Sequence, residues 1–254
     1  MKAIILAGGL GTRLQPYTFF IPKPMLPLGN KPLLEHIIEW LKNDDNNFDD
    51  IIICVSYLHR TIEDYFEDGS RFGISIEYAR SDRPLATAGQ LLTAKRFIVD
   101  TFVCVYRGSI YGFPVTEMIN EHDRLGAFIS MALLSYKTRL KYGFIDVNGN
   151  SRVTAWDEKP EIKGLINVGC YVMEPEFIDL IPASNGYGMD DAVRKALDMK
   201  KVVNGYKIES GFIDIGDKKS YLQTYKKYVE RLGKIKVMGI VLFEDTSWKN
   251  FVPL

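Results

Sequence analysis

The sequence predicts an α/β fold: a Rossmann-like, mixed, mostly parallel sheet with helices on both faces and a small β-rich insertion. Three observations predict it. Strand-like and helix-like segments alternate through the first half of the 254 residues, the rhythm of a covered parallel sheet. Several of the strands are short continuous apolar runs, as in strands buried on both faces. Residues 142–160 then break the rhythm with two alternating stretches around Asn148-Gly149-Asn150, a hairpin pattern.

Taken in order, "KAIILAG" is the first buried strand. "PLLEHIIEWLKN" places Leu33, Leu34, Ile37, Ile38 and Leu41 on one helical face. "DIIICVSY" is a strand and "RTIEDYFEDG" a helix ended by Gly69. "ISIEYARS" is a strand, "TAGQLLTAKRFI" a helix and "TFVCVYRGS" a strand. "VTEMINEHDRLG" is a helix and "AFISMALLS" a strand. After the hairpin, "GLINVGCYVME" is a strand, two helices follow near 175–182 and 189–200, and "YKIESGFIDIG" returns to strand. "DKKSYLQTYKKYVERLG" is an amphipathic helix with Tyr221, Leu222, Tyr225 and Val229 at helical spacing. One domain is expected over 1–254: a nucleotide-binding half (1–130), a second-substrate half (131–230) and a C-terminal extension (231–254) whose apolar "VMGIVLF" reads as a pairing strand.

Composition narrows the function classes. Lys plus Arg equals Asp plus Glu at 32 each, so no global basic field exists for nucleic acid or an anionic membrane. An anionic ligand then needs a local site. Cys54, Cys104 and Cys170 each lie in apolar runs without a CxxC, and read as buried free thiols. His36, His59 and His122 are scattered, against a zinc site. The N-terminal apolar run is too short for a signal peptide, and no run approaches the ~20 residues of a membrane span. A cytoplasmic location is expected.

"ILAGGLGTRLQP" follows the first strand directly. Gly8, Gly9 and Gly11 leave backbone N–H groups unshielded for phosphate oxygens. Arg13 adds a forked cation at the same mouth. Ten residues on, Pro22 and Pro24 hold Lys23 in a stiff segment. The pattern is not the dinucleotide fingerprint, because Leu14 stands where its third glycine belongs, and no Gly-Lys-Ser/Thr makes it a P-loop.

These segments, "AIILAGGLGTRLQPYT" with "IPKPMLPLGNKPLLEHIIEWL", resemble the signature of the sugar nucleotidyltransferases, the nucleoside-diphosphate-sugar pyrophosphorylases of the glucose-1-phosphate thymidylyltransferase and mannose-1-phosphate guanylyltransferase type. "LATAGQL" (85–91), "DEKP" (157–160), "INVGCYVMEP" (166–175) and "GFIDIGDKKSY" (211–221) are similar to further family segments in the same order. The resemblance covers the catalytic core, about residues 1–230. No hexapeptide repeat suggests the β-helix that some relatives append.

The resemblance implies joining of a sugar 1-phosphate to a nucleoside triphosphate, with pyrophosphate leaving. Such chemistry rests on positioning and charge neutralisation. It implies that Leu6, Ala7, Gly8, Gly9, Gly11, Thr12 and Arg13 bind the triphosphate, and that Ala86, Thr87 and Ala88 press on base and ribose. Arg13, Lys23 and Lys159 are the implied catalytic cations. Gly143, Glu158, Lys159, Asn167 and Gly169 would hold the sugar phosphate. Plainer readings stand beside these: Glu158 and Lys159 as a surface ion pair, Thr87 as a helix N-cap. Partners implied are the two substrates and, as in many relatives, a second copy of the chain; nucleic acid and membrane are not.

The implied cofactor is Mg²⁺, clamped by two aspartates. Asp214 in "FIDIG" matches one. At the other, the strand ends Arg107-Gly108-Ser109. Ser109 takes the aspartate's place after Gly108, or Gly108 does if Arg107 stands for the glycine; neither is a good magnesium ligand. Ala86 replaces a glycine, and Asp217-Lys218 a Thr-Pro. A working enzyme is expected, with a weak or silent nucleotide-sugar sensor as the alternative. A glycosyltransferase of related fold is disfavoured, since no D-x-D stands at the strand that ends in Ser109.

Overall fold

The computed structural model describes residues 1–232 apart from 44, 184 and 185; the expected strand "VMGIVLF" and the rest of the C-terminal extension beyond 232 lie outside the described residues. The strands are β1 (Lys2–Leu6), β2 (Pro27–Leu28), β3 (Lys31–Pro32), β4 (Asp50–Val55), β5 (Ser75–Arg80), β6 (Phe102–Tyr106) and β7 (Ser109–Tyr111), then β8 (Ile129–Arg139), β9 (Phe144–Val147), β10 (Val153–Asp157), β11 (Glu161–Met173), β12 (Val203–Ile208) and β13 (Phe212–Asp214). The helices are α1 (Leu33–Lys42), α2 (His59–Phe66), α3 (Thr87–Thr93), α4 (Thr116–Leu125), α5 (Met189–Asp198) and α6 (Lys218–Leu232).

Seven strands form one sheet in the order β12-β8-β11-β6-β1-β4-β5. All its pairings are parallel except those of β11, which runs antiparallel to both β6 and β8. The expected mixed, mostly parallel sheet is present. The pleat sorts its side chains onto two faces. Ala3 and Ile5 of β1 with Val103 and Val105 of β6 face a core closed by α1, α2 and α4. Ile4, Leu6, Phe102 and Cys104 face the other core, closed by α3 and α5. Helices therefore cover both faces, which is why β1, β4 and β6 read as unbroken apolar runs. All three cysteines are buried and free, as expected.

Several boundaries differ from the sequence reading, each for a local reason. The helix expected over 87–98 stops at Thr93, whose hydroxyl donates back to the Gln90 carbonyl, and continues as a 3₁₀ turn over Lys95–Phe97. The helix expected to end at Gly69 stops at Phe66, with Glu67 taking a positive φ of 47°. The first of the two helices expected after β11 is 3₁₀ over Pro175–Leu180. β8 and β11 are longer than expected and pair as far as Glu161↔Arg139.

β11 carries a bulge between Asn167 and Tyr171, centred on Gly169 with φ 76°. Below it the strand pairs with β8 alone; above it, with β6 also. The Tyr111 hydroxyl pins this bend to the end of β6. It lies 3.1 Å from the Tyr106 and Gly169 carbonyls and 3.3 Å from that of Val168. Its ring stacks on Trp40, 4.8 Å between centroids. The hairpin β9–β10 is the expected one and turns at 148–151. A third core, of Leu14, Leu26, Leu28, Leu33, Ile215 and Tyr221, ties the 14–33 segment and the end of β13 to α6.

Tyr111→Phe removes one buried donor shared among carbonyls while leaving the stacking intact. We expect it to cost about 1–2 kcal/mol in urea unfolding, with an unchanged circular-dichroism spectrum.

Candidate active site

β1 and β6 are parallel neighbours with Leu6 opposite Tyr106. The two chain segments that leave them, the glycine loop and Arg107-Gly108, therefore emerge side by side at the C-terminal edge. This is where the sheet reverses its order, the usual seat of a ligand in open α/β sheets. Leu6 and Ala7 point into opposite cores. The Gly8 N–H is already committed, donating to Gln90 Oε1 at 2.7 Å, and the Ser56 hydroxyl donates to the Gly8 carbonyl. Gln90 Nε2 donates to the Leu85 carbonyl at 3.1 Å. One carboxamide so clasps the glycine loop to the 85–91 segment. Gly11 is left-handed at φ 66° and is held by Thr18 Oγ1, which donates to its carbonyl at 3.0 Å. A Cβ there would lie 3.2 Å from Lys23 Cβ. Glycine is needed at position 11 on both counts. Thr12 opens the next 3₁₀ turn and is exposed.

Lys23 is buried in a 3₁₀ turn that follows Pro22, and its Nζ donates weakly to the Gly108 carbonyl at 3.5 Å. Burial pushes its pKa down to about 8, and the Arg107 charge pushes in the same direction; Asp214 pulls the other way. The Arg107 guanidinium lies on the glycine loop: a Cβ on Gly9 would sit 2.6 Å from its Nη2. Its Nε is enclosed and has no hydrogen-bond partner. Burial alone pushes its pKa down to about 10. Arg13 and Asp214, both exposed, flank Gly216, where a Cβ would lie 2.7 Å from Asp214 Oδ2 and 3.3 Å from Arg13 Nη1. Gly9, Gly11, Arg13, Lys23 and Asp214 thus come together as the sequence implied, with Arg107 in their midst.

The same geometry places both residues offered for the second aspartate's position, Gly108 and Ser109. Ser109 pairs across from Asp214 in the two-stranded sheet β7–β13. It is buried, with its hydroxyl near that of Tyr111. Position 108 is the one that opens on the site: a Cβ there would lie 2.6 Å from Lys23 Nζ. As directly opposed residues of an antiparallel pair, Ser109 and Asp214 lie on one face of that short sheet. Gly108, in front of Lys23 Nζ, carries no side chain. The donor set does not fit a protein-held Mg²⁺. It offers Asp214 among the cations Arg13, Lys23 and Arg107, with Asp217 the next carboxylate in their reach but accepting from the Ser220 N–H through its Oδ1, whereas the ion wants several oxygens. No group of three metal-ligating side chains occurs among the described residues.

On the nucleotide side, Ala86 is the extended residue before α3, and Ala88 is buried in the core. Thr87 is not the N-cap of α3, as its plainer reading had it. Ala86 holds that position, and Thr87 Oγ1 accepts from the Met189 N–H at 2.8 Å, serving the start of α5.

The implied sugar residues form two groups. Gly143, Glu158 and Lys159 meet on the hairpin. Glu158 accepts from Trp156 Nε1 at 3.0 Å, and a Cβ on Gly143 would lie 2.7 Å from its Oε2. Lys159, at φ 52°, sits 3.6 Å from Glu158 Oε1, both exposed; the surface ion pair of the plainer reading is formed. Asn167 and Gly169 sit at the β11 bulge. Asn167 Nδ2 donates to the Tyr171 hydroxyl at 2.6 Å, and that hydroxyl lies 3.0 Å from Tyr106's. A Cβ on Gly169 would strike the Tyr106 ring at 2.5 Å. No hydrogen bond or ion pair joins the hairpin group to the Lys23 group among the described residues. Sequence reasoning missed Gln90, Ser56, Tyr106, Tyr171 and the seat of Arg107. Of these only Arg107 carried a signal, a charge ending a buried strand.

Comparison with known proteins places the chain in a family. Residues 2–231 match the model of the family described as nucleotidyl transferase. A UTP-glucose-1-phosphate uridylyltransferase of Synechocystis sp. is 32% identical over 94% of this chain and 66% of its own length. A D-glycero-alpha-D-manno-heptose 1-phosphate guanylyltransferase of Aneurinibacillus thermoaerophilus is 33% identical over 89% of this chain and 98% of its own. The crystal structure of HddC from Yersinia pseudotuberculosis complexed with GMP-PN superposes with a TM-score of 0.70 at 25% identity, covering 89% of this chain and 99% of that one. The chain so spans about two thirds of the first relative and nearly all of the second.

The lowered pKa of Lys23 has a sign that can be measured. The folded protein releases this proton near pH 8, the unfolded chain near 10.5. Between these the unfolded state binds more protons, so stability rises with pH. We expect urea unfolding of the ligand-free protein to gain about 3 kcal/mol from this group between pH 8 and 10.5, and Lys23→Met to lack that gain.

Proposed function

Because the chain belongs to the nucleotidyl transferase family, we propose that it is a sugar-1-phosphate nucleotidyltransferase. A phosphate oxygen of the sugar 1-phosphate attacks the α-phosphorus of a nucleoside triphosphate. The bond to the β-phosphate breaks, and pyrophosphate leaves with its electron pair. The observation that carries this reading is the convergence of Arg13, Lys23 and Arg107 on the glycine loop at the C-terminal edge of β1 and β6. Three side-chain cations there suit a polyphosphate. Arg13 takes the outer phosphates. Lys23, held by Pro22 and buried, meets charge building at the α-phosphate, where its enclosed setting makes it worth most. Lys159, beside the hairpin, takes the incoming sugar phosphate, with Glu158 and Asn167 for its hydroxyls. No step is assigned to a divalent ion, since Asp214 stands among three cations and Asp217 is engaged by the Ser220 N–H. The relatives' names point to uridine or guanosine triphosphate and to a hexose or heptose 1-phosphate as the first pairs to assay.

A second reading, a family member that binds nucleotide sugar with little turnover, is favoured by one observation: Gly108 puts no carboxylate where the site opens. A panel of nucleoside triphosphates and sugar 1-phosphates, read by pyrophosphate release, separates the two. We expect release from at least one pair, a loss of about 10²–10³ in kcat for Lys23→Ala, and a raised KM for the sugar phosphate in Lys159→Ala. Folded protein that is silent across the panel yet shifts its melting temperature with nucleotide sugar is the second reading's result.

A further inference from the structure

Arg107 is the group in this fold that no structural role accounts for. It makes no ion pair among the described residues, its Nε is enclosed without a partner, and, half-buried as a whole, it stands beside a buried cation, Lys23. A guanidinium taken out of water without a counter-charge is costly, and removing such a charge from a protein generally stabilises it. Its neighbours give the reason for its retention. Its terminal nitrogens lie over Gly9, where the absence of a Cβ leaves the backbone bare. Gly108 beside it supplies no carboxylate to neutralise it, and Lys23 Nζ occupies the space in front of Gly108. Asp214 lies by Gly216, beside Arg13, with Asp217 the next carboxylate in reach of Lys23.

Resting on the reading above, we propose that Arg107 is a resident phosphate-binding cation, whose counter-ion is the triphosphate itself. The chain then grips its polyphosphate without a divalent ion held by the protein. The guanidinium supplies a fixed forked donor where a carboxylate-held metal does not fit. It is a substrate-binding residue, and the same contact stabilises pyrophosphate as it departs.

The test uses inorganic tripolyphosphate, which is independent of the unknown base, titrated calorimetrically in EDTA and in Mg²⁺. We expect the full chain to bind it in EDTA within about threefold of its affinity in Mg²⁺. Arg107→Met should weaken that binding at least about tenfold, and Arg107→Lys should recover part of it. Arg107→Met should also raise the melting temperature of the ligand-free protein, where a structural arginine would lower it. Arg107→Gln keeps the test open if the methionine variant does not fold. Binding that requires Mg²⁺, or that is unchanged in Arg107→Met, overturns the inference and leaves the proposed reaction standing. Tighter binding by Arg107→Met makes the guanidinium a plug and also overturns it. No binding under either condition removes the inference and the nucleotidyl-transfer reading together.

Discussion

The rest of the molecule depends on one pairing, the parallel register of β1 with β6. With Leu6 opposite Tyr106, the glycine loop and Arg107 are set side by side with no freedom to slide, because a one-residue slip would exchange the two cores. The chain order around this pair makes the crevice: β4 and β5 are added on one side of β1, and β6 and the antiparallel β11 on the other. The remaining pieces are brought to it from far away in sequence. Lys23 arrives on a proline-stiffened turn, and Asp214 on the short strand β13. The third core, in which Leu14, Leu26, Ile215 and Tyr221 pack together, fixes both relative to the sheet.

Legibility in the sequence followed the range of the interaction. The strands β1, β4 and β6 could be read because burial on both faces imposes apolar runs, and α1 because one face of it is buried. The glycine loop, Lys23 and Asp214 could be read because their motifs are local. Residue 109 could not, because which face it presents depends on the pairing of β7 with β13 across some hundred residues. Nor could Gln90, whose amide bridges two loops that only the fold makes neighbours. The Gly169 bulge was similarly hidden: it exists because β11 must serve two partners, β8 and β6, and the Tyr106 ring fills the space a side chain would need.

A buried lysine beside a half-buried guanidinium is a liability in the ligand-free molecule. Lys23 is pushed toward neutrality and Arg107 is left without a counter-charge. Sites of this kind trade stability for pre-organised charge. The opposing stabilisation comes from the surrounding apolar packing and from the Tyr111 hydroxyl, which ties the end of β6 to the β11 bulge. The sugar-side group differs in kind. Glu158 and Lys159 are exposed and held by a two-stranded hairpin, so their positions follow that hairpin rather than the rigid sheet.

The carboxamide of Gln90 has two unlike ends, and each is matched: its oxygen meets the Gly8 N–H, its nitrogen the Leu85 carbonyl. The side chain is therefore a polarised rivet. Turned by half a revolution, it would set donor against donor at one end and acceptor against acceptor at the other. Glutamate, equal in shape, would face the Leu85 carbonyl with a second acceptor and place a negative charge directly behind the phosphate loop. The position is open to the amide and closed to its acid. The glycine loop and the 85–91 segment are consequently tied into one body.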